Sequence, residues 1–292
     1  MKFFHMPPLV PTFKFRKRYI VYSLFLSYII MCQSCMRFRA SKTETKTSFA
    51  SAGVLYLDKT ATIDDHKLHY IETGNKENPT LFFIHGSPGS WDAYKKYLKD
   101  SLLLQKYRMV AIDRPGFGYS NFGQAENLPT QAVLIFKLLQ LIDNKKPVTL
   151  IGHSMGGPVA VKLATLYPDR FENIVILAGS VDPQAETKEK WRPIIKAPPL
   201  RYLIPGALRP SNDELWWLKH DLVVMQRDLK KIQCKVVIIH GTKDQLVPFS
   251  NVPFMEKEFV NAKSIDVIAI EGANHFIPWE HFDIIRDRLL AL

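Results

Sequence analysis

Val148-Thr149-Leu150-Ile151-Gly152-His153-Ser154-Met155-Gly156-Gly157 decides how this chain folds. Its first four residues form a mostly apolar run with β-branched side chains, which reads as a buried strand. The following Pro158-Val159-Ala160-Val161-Lys162-Leu163-Ala164 reads as a helix. Between them, Gly-x-Ser-x-Gly marks the sharp strand-to-helix turn of a nucleophile elbow. At the tip of such a turn Ser154 takes a strained backbone conformation and presents its hydroxyl away from the sheet. Gly152 and Gly156 fall where side chains would collide. The motif alone is common in any Gly-rich turn, so its setting between strand and helix carries the argument.

Strand and helix signals alternate on both sides of this stretch. Upstream, residues 54–59 and 67–72 read as a hairpin around Asp64-Asp65-His66, with His69 expected at the surface. Residues 80–84 form an apolar strand that stops at His85-Gly86-Ser87-Pro88-Gly89-Ser90, and 91–104 reads as a helix. The strand at 107–112 ends in Asp113-Arg114-Pro115-Gly116-Phe117-Gly118, where Asp113 and Arg114 are expected to brace the loop. A helix follows at 128–143, with an apolar face of Val133, Leu134, Leu138 and Leu141.

Downstream, 173–178 is another buried strand, after which the pattern breaks. Residues 181–230 hold six prolines together with Trp191, Trp216 and Trp217. An amphipathic piece at 213–225 has Ser211 or Asn212 as its candidate cap. This region reads as a small helical cap whose tryptophans either line an apolar pocket or fasten the cap to the core. Strands at 234–239 and 265–270 and a helix at 279–290 complete the chain. The pattern predicts an α/β fold. Its sheet is mostly parallel, eight-stranded and covered on both faces, with the cap inserted after the sixth strand.

The 292 residues and 47% hydrophobic content suit one such domain at 54–292, with the cap at about 181–230. The net charge of +11 is unevenly placed. Residues 1–46 carry nine Lys or Arg and one Glu, whereas the remainder carries 30 basic and 27 acidic residues. The body is therefore nearly balanced and lacks a basic stripe with interleaved aromatics, which argues against nucleic-acid binding. Of three cysteines, Cys234 reads as a buried small residue. Cys32-x-x-Cys35 has no second pair and no neighbouring His, so neither a metal nor a disulfide framework is implied. No cofactor is expected.

Lys14-Phe15-Arg16-Lys17-Arg18 precedes 13 uncharged, mostly apolar residues, Tyr19 to Met31, in the shape of a secretory signal. This run is shorter than the roughly 20 residues of a spanning helix, although an uncleaved signal anchor of about 17 is the alternative. Ser34-Cys35 resembles a bacterial lipoprotein cleavage site, which would make Cys35 a lipidated N-terminus, with Cys32 a competing position. Residues 1–35 are thus read as a signal, lipid-anchor or membrane segment, and 36–53 as a Ser/Thr/Lys-rich tether. The expected location is the bacterial cell envelope, with the body membrane-attached outside the cytoplasm.

Three polar residues sit on loops after separate strands in the chain order Ser154, Asp244, His275. That order, with His85-Gly86-Ser87-Pro88-Gly89, Asp113-Arg114-Pro115-Gly116-Phe117-Gly118, Gly241-Thr242-Lys243-Asp244 and Gly272-Ala273-Asn274-His275, resembles the α/β-hydrolase fold superfamily. The resemblance implies Ser154 as nucleophile, His275 as base and Asp244 as the acid that orients it. It also implies an oxyanion hole from the backbone N–H groups of Ser87 and Met155. Asp182, after the preceding strand, is the alternative acid, and His153 is expected to turn into the sheet edge. A serine at the nucleophile position argues against relatives that use aspartate, such as epoxide hydrolases.

The implied activity is hydrolysis of a carboxylic ester or related acyl bond in a small, apolar substrate. The competing readings are carbon–carbon hydrolase or haloperoxidase chemistry on the same fold, and a membrane-tethered binding protein without turnover. Oligomeric state has no signal in the sequence.

Overall fold

The computed structural model of the protein describes residues 16–34, 37–187 and 189–292. Cys35, the lipidation candidate, lies outside the described residues.

Eight strands form one sheet: β1 (Tyr56–Ile63), β2 (His66–Thr73), β3 (Thr80–Ile84), β4 (Arg108–Ile112), β5 (Val148–His153), β6 (Asn173–Leu177), β7 (Lys235–Gly241) and β8 (Ser264–Ile270). They lie in the order β1-β2-β4-β3-β5-β6-β7-β8. β1 and β2 pair antiparallel, β2 meets β4 antiparallel, and every later pairing is parallel. In the central strands β3, β4 and β6 every residue is buried. Successive residues point to opposite faces. Phe82, Leu150, Ile174 and Ile238 accordingly join one apolar cluster, while Phe83, Ile151, Val175 and Ile239 join the other.

Ten α-helices accompany the sheet among the described residues: α1 (Lys17–Ser34), α2 (Lys42–Ser51), α3 (Ser101–Lys106), α4 (Leu128–Leu141), α5 (Gly156–Leu166), α6 (Arg192–Lys196), α7 (Leu208–Gln226), α8 (Asn251–Glu258), α9 (Ile277–Glu280) and α10 (Phe282–Leu290). The insertion between β6 and β7 carries α6, a 3-10 turn at Leu200–Leu203 and α7. α7 starts earlier than the sequence pattern implied. Ser211 and Asn212 therefore lie inside it and are buried rather than capping it.

The stretch after β3 is not one helix. It makes 3-10 turns at Trp91–Tyr94 and Tyr97–Lys99, then α3, which Asp100 caps by accepting from the amides of Leu102 and Leu103. Trp91, Tyr94 and Tyr97 are all buried at a spacing of three, the period at which a 3-10 turn stacks side chains. In α4 the buried face runs through Leu128, Ala132, Ile135, Leu138 and Leu139, and Asn127 caps its start. Leu134 is buried as expected, but Val133 and Leu141 face outward. The closing helix is broken at His281 into α9 and α10.

His69 is buried rather than exposed, and its ring bridges Asp113 Oδ2 at 2.8 Å and Asp58 Oδ1 at 3.1 Å. Burial opposes its charge, but the two carboxylates outweigh burial and raise its pKa above the ordinary value of 6.5. A raised folded-state pKa stabilises the fold fully below about pH 6.5, and the contribution is lost as pH rises through the folded value. The stability gap between wild type and His69→Gln in urea unfolding is therefore expected to be wider at pH 6 than at pH 9. An equal gap at both would remove the charged His69 from the account.

The segment expected as a tether is structured over 42–51, where it forms α2. Ser41 accepts from the Glu44 amide while the Glu44 side chain accepts from the Ser41 amide, a reciprocal capping box. Phe49 is fully buried, with its ring 4.5 Å from that of Tyr56 and 6.1 Å from that of Trp91. Burying such a ring contributes about 1.5–3 kcal/mol, enough to fix a short helix that its own propensity would not hold. Farther upstream, α1 meets the insertion: Tyr28 Oη donates to Leu203 O at 2.9 Å and the Gly206 amide donates to Cys32 O at 3.0 Å. Among the described residues no helix is long and apolar enough to cross a membrane.

Candidate active site

The parallel register aligns the carboxyl ends of β3, β5, β6, β7 and β8, pairing Ile84 with Gly152, His153 with Leu177, and Gly241 with Ile270. Loops leaving these ends converge on one cavity, as open α/β sheets do.

Ser154 sits at the tip of the β5–α5 turn with φ of 52°, the left-handed region expected of an elbow serine. Such a backbone costs of order 1–3 kcal/mol and persists only where the surroundings enforce it. The glycines explain the enforcement. A Cβ on Gly152 would lie 2.1 Å from Gly156 O, and one on Gly156 would lie 2.1 Å from Ile84 O. Met155 precedes the first residue of α5, where helix N–H groups have no partner within the helix and carry partial positive charge.

Gly86 and Ser87 line the cavity opposite the elbow. A Cβ on Gly86 would be 3.0 Å from the Ser154 Cβ, so this loop lies directly against the serine. Fully buried Arg114 holds it there: Nε donates to His85 O at 2.8 Å and Nη2 to Gly86 O at 2.9 Å. The same guanidinium forks onto Glu214 of α7 at 2.6 and 3.0 Å, and Gln131 donates to that carboxylate at 3.0 Å. Ser87 Oγ donates to Ser211 Oγ at 2.8 Å, a second tie between this loop and the insertion. The expectation that Asp113 and Arg114 brace a loop agrees with this arrangement. Asp113 accepts from the amides of Trp91 and Tyr119, but the reach of Arg114 to α7 had no signal in the sequence.

Asp244 and His275 meet. Asp244 Oδ2 is 2.6 Å from His275 Nδ1, and Oδ1 accepts from the amides of Leu246 and Val247 at 2.9 and 2.8 Å. Burial pushes the Asp244 carboxyl up, but the bonds from His275 and the two amides outweigh it, and the net shift is downward. Asp182 faces elsewhere, with its carboxylate accepting from the Gln184 amide at 2.8 Å.

His153 does not turn into the sheet edge. Its Nε2 donates to the backbone carbonyl of His275 at 3.0 Å, and its ring lies 4.8 Å from that of His275. Burial, then the neighbouring His275, lowers its pKa to about 3, so it stays neutral and serves as a fixed donor. It therefore anchors the loop that carries His275.

The cavity that Ser154 and His275 share measures about 870 Å³. Met155, Leu215, Leu218, Leu246, Val247, Phe276 and Trp279 give it a largely apolar wall. The insertion contributes through Leu215 and Leu218, while Trp191, Trp216 and Trp217 are not among the lining residues. The aromatic surface comes instead from Phe276 and Trp279, which follow β8, and from Phe38. Phe38, Arg39, Ala40 and Glu44, from the segment expected as a tether, also line the cavity. A Ser/Thr/Lys-rich composition gave no sign of this.

The profile of the alpha/beta hydrolase fold family matches residues 79–203. An uncharacterised hydrolase of Bacillus subtilis is 23% identical over 271 residues, spanning 78% of this chain and 94% of that protein. A bifunctional esterase/perhydrolase of Acinetobacter calcoaceticus is 26% identical over 274 residues, spanning 79% and 97%. Among solved structures, a membrane phospholipase A described as a bacterial virulence factor superposes with a TM-score of 0.63 at 20% identity, covering 94% of this chain and 97% of that one.

Proposed function

Because the chain belongs to the α/β-hydrolase fold superfamily, we propose that it is a serine hydrolase that cleaves a carboxylic ester or related acyl bond through an acyl-enzyme. The observation that carries this reading is the 2.6 Å contact between Asp244 and His275 on loops that share a cavity with Ser154. A serine hydroxyl is a weak nucleophile at neutral pH and needs a base as it attacks. In this reading His275 takes the Ser154 proton as Oγ bonds to the acyl carbon. Asp244 fixes the ring so that Nδ1 carries hydrogen, and it stabilises the imidazolium. The N–H groups of Ser87 and Met155 hold the oxyanion; each such donor is worth about 2.7–4 kcal/mol in the transition state. Collapse expels the alcohol, which takes its proton from His275. Water, activated by the same base, then releases the acid and restores Ser154.

Resemblance to the Acinetobacter calcoaceticus esterase/perhydrolase supports ester chemistry, and the apolar cavity supports a hydrophobic acyl group. We further propose attachment to a membrane through the N-terminus, with the body outside the cytoplasm and Cys35 as the candidate lipidation site. The basic-then-apolar leader and the outward-facing Ile20, Val21, Leu24 and Phe25 of α1 support attachment.

Turnover of p-nitrophenyl esters from acetate to palmitate by the full chain tests the chemistry. Asp244→Asn is expected to lower kcat on the order of 10⁴-fold with the unfolding temperature little changed, because the amide favours the wrong imidazole tautomer. A loss below about tenfold would assign the orienting role to another group.

A further inference from the structure

Residues 38–44 are tied to the body of the domain by specific contacts. At one end the Arg39 guanidinium lies 3.7 Å from the centre of the Tyr119 ring and donates to Gly118 O, while Tyr119 Oη donates to Ala40 O at 3.0 Å. At the other end the Ser41–Glu44 capping box starts α2, whose Phe49 is fully buried against Tyr56 and Trp91. Phe38, immediately before the first clamp, has φ of 45°, a conformation that bulky residues rarely adopt. Backbone strain of this kind persists only where neighbours impose it, and it concentrates at binding sites. Phe38, Arg39, Ala40 and Glu44 line the same cavity as Ser154 and His275.

Resting on the hydrolase reading above, we infer that residues 38–44 form a substrate-binding strap, with Phe38 and Ala40 as the wall that receives the apolar arm of an amphiphilic acyl substrate. The chemistry of the strap fits such a ligand. Phe38 and Ala40 are apolar, whereas Arg39 and Glu44 are charged. Lys95, also on the cavity lining, adds a second cation beside them. A chain-like apolar arm with a polar end therefore meets matching groups on this one segment. The strap reads as a selector of acyl length rather than a spacer between leader and catalytic body.

The test uses the full chain in detergent with Phe38→Ala, Ala40→Trp and, as a control on the exposed side of α2 outside the strap, Lys46→Ala. Two quantities are read. One is the ratio of kcat/KM for p-nitrophenyl palmitate to that for the acetate; the other is the affinity of the fluorescent fatty acid cis-parinaric acid in a Ser154→Ala background. Phe38→Ala is expected to lower both by about tenfold, the scale of a lost apolar pocket contact. Ala40→Trp should also depress the palmitate ratio by occupying the cavity, and Lys46→Ala should move neither quantity. If Phe38→Ala scales all esters alike and leaves parinarate affinity unchanged, the strap is structural and the proposal is overturned. If wild type hydrolyses no ester yet Phe38→Ala weakens parinarate binding, the strap stands and the hydrolase reading falls. Should Ala40→Trp fail to fold, Phe38→Ala decides alone, since its side chain is 46% exposed and its removal leaves the core intact.

Discussion

Ser154→Ala is expected to lower kcat for ester hydrolysis on the order of 10⁶-fold, the scale found when a triad nucleophile is removed. The substitution deletes one oxygen and leaves the elbow intact. Alanine has the same Cβ at the same left-handed φ, and the Ser154 amide still donates to Leu177 O at 3.0 Å. The unfolding temperature should therefore stay near that of wild type. Residual turnover should reflect only the oxyanion donors and binding in the cavity. A variant that keeps more than a tenth of the activity would move the chemistry to a different group, since a loss of that size is only about 1.4 kcal/mol of barrier.

Arg114→Leu should cost about 3–5 kcal/mol in stability, measured by urea unfolding, because it leaves the Glu214 carboxylate buried without its partner. Both side chains have no exposed surface. The same change frees the carbonyls of His85 and Gly86, which Arg114 Nε and Nη2 hold at 2.8 and 2.9 Å. The loop carrying Ser87 loses its brace, so kcat should fall along with stability. The double variant Arg114→Leu/Glu214→Leu should recover much of the stability, since removing both charges also removes the desolvation that neither meets alone. It should not recover kcat, because nothing then holds the loop. A single-variant cost below about 1 kcal/mol would mean that water reaches Glu214.

The fold was legible because its signals are local. Buried strands such as β3 and β6 carry continuous apolar runs at 81–84 and 174–177, and Gly152 and Gly156 mark the elbow on either side of Ser154. The chain order Ser154, Asp244, His275 was equally plain, and the structure brings Asp244 and His275 into contact. What stayed hidden depended on partners distant in sequence. His69 reads as a surface residue until Asp58 and Asp113 close on it, and His153 shows its role only when the loop of His275 lies beneath its Nε2. The tryptophans of 181–230 suggested a pocket lining by composition, but lining depends on which face of α7 meets the cavity, and Leu215 and Leu218 hold it. The strap was obscured by its polar content: the fully buried ring of Phe49 anchors α2 and outweighs the Ser, Thr and Lys around it.

The most direct measurement is covalent labelling with a fluorophosphonate, followed by peptide mass spectrometry. This probe needs an activated serine and an oxyanion site but no knowledge of the natural substrate. The account predicts one modification, on Ser154 of the folded protein, that disappears in Ser154→Ala and slows strongly in His275→Ala. Folded protein that remains unlabelled, or labelling that persists in Ser154→Ala, would contradict it.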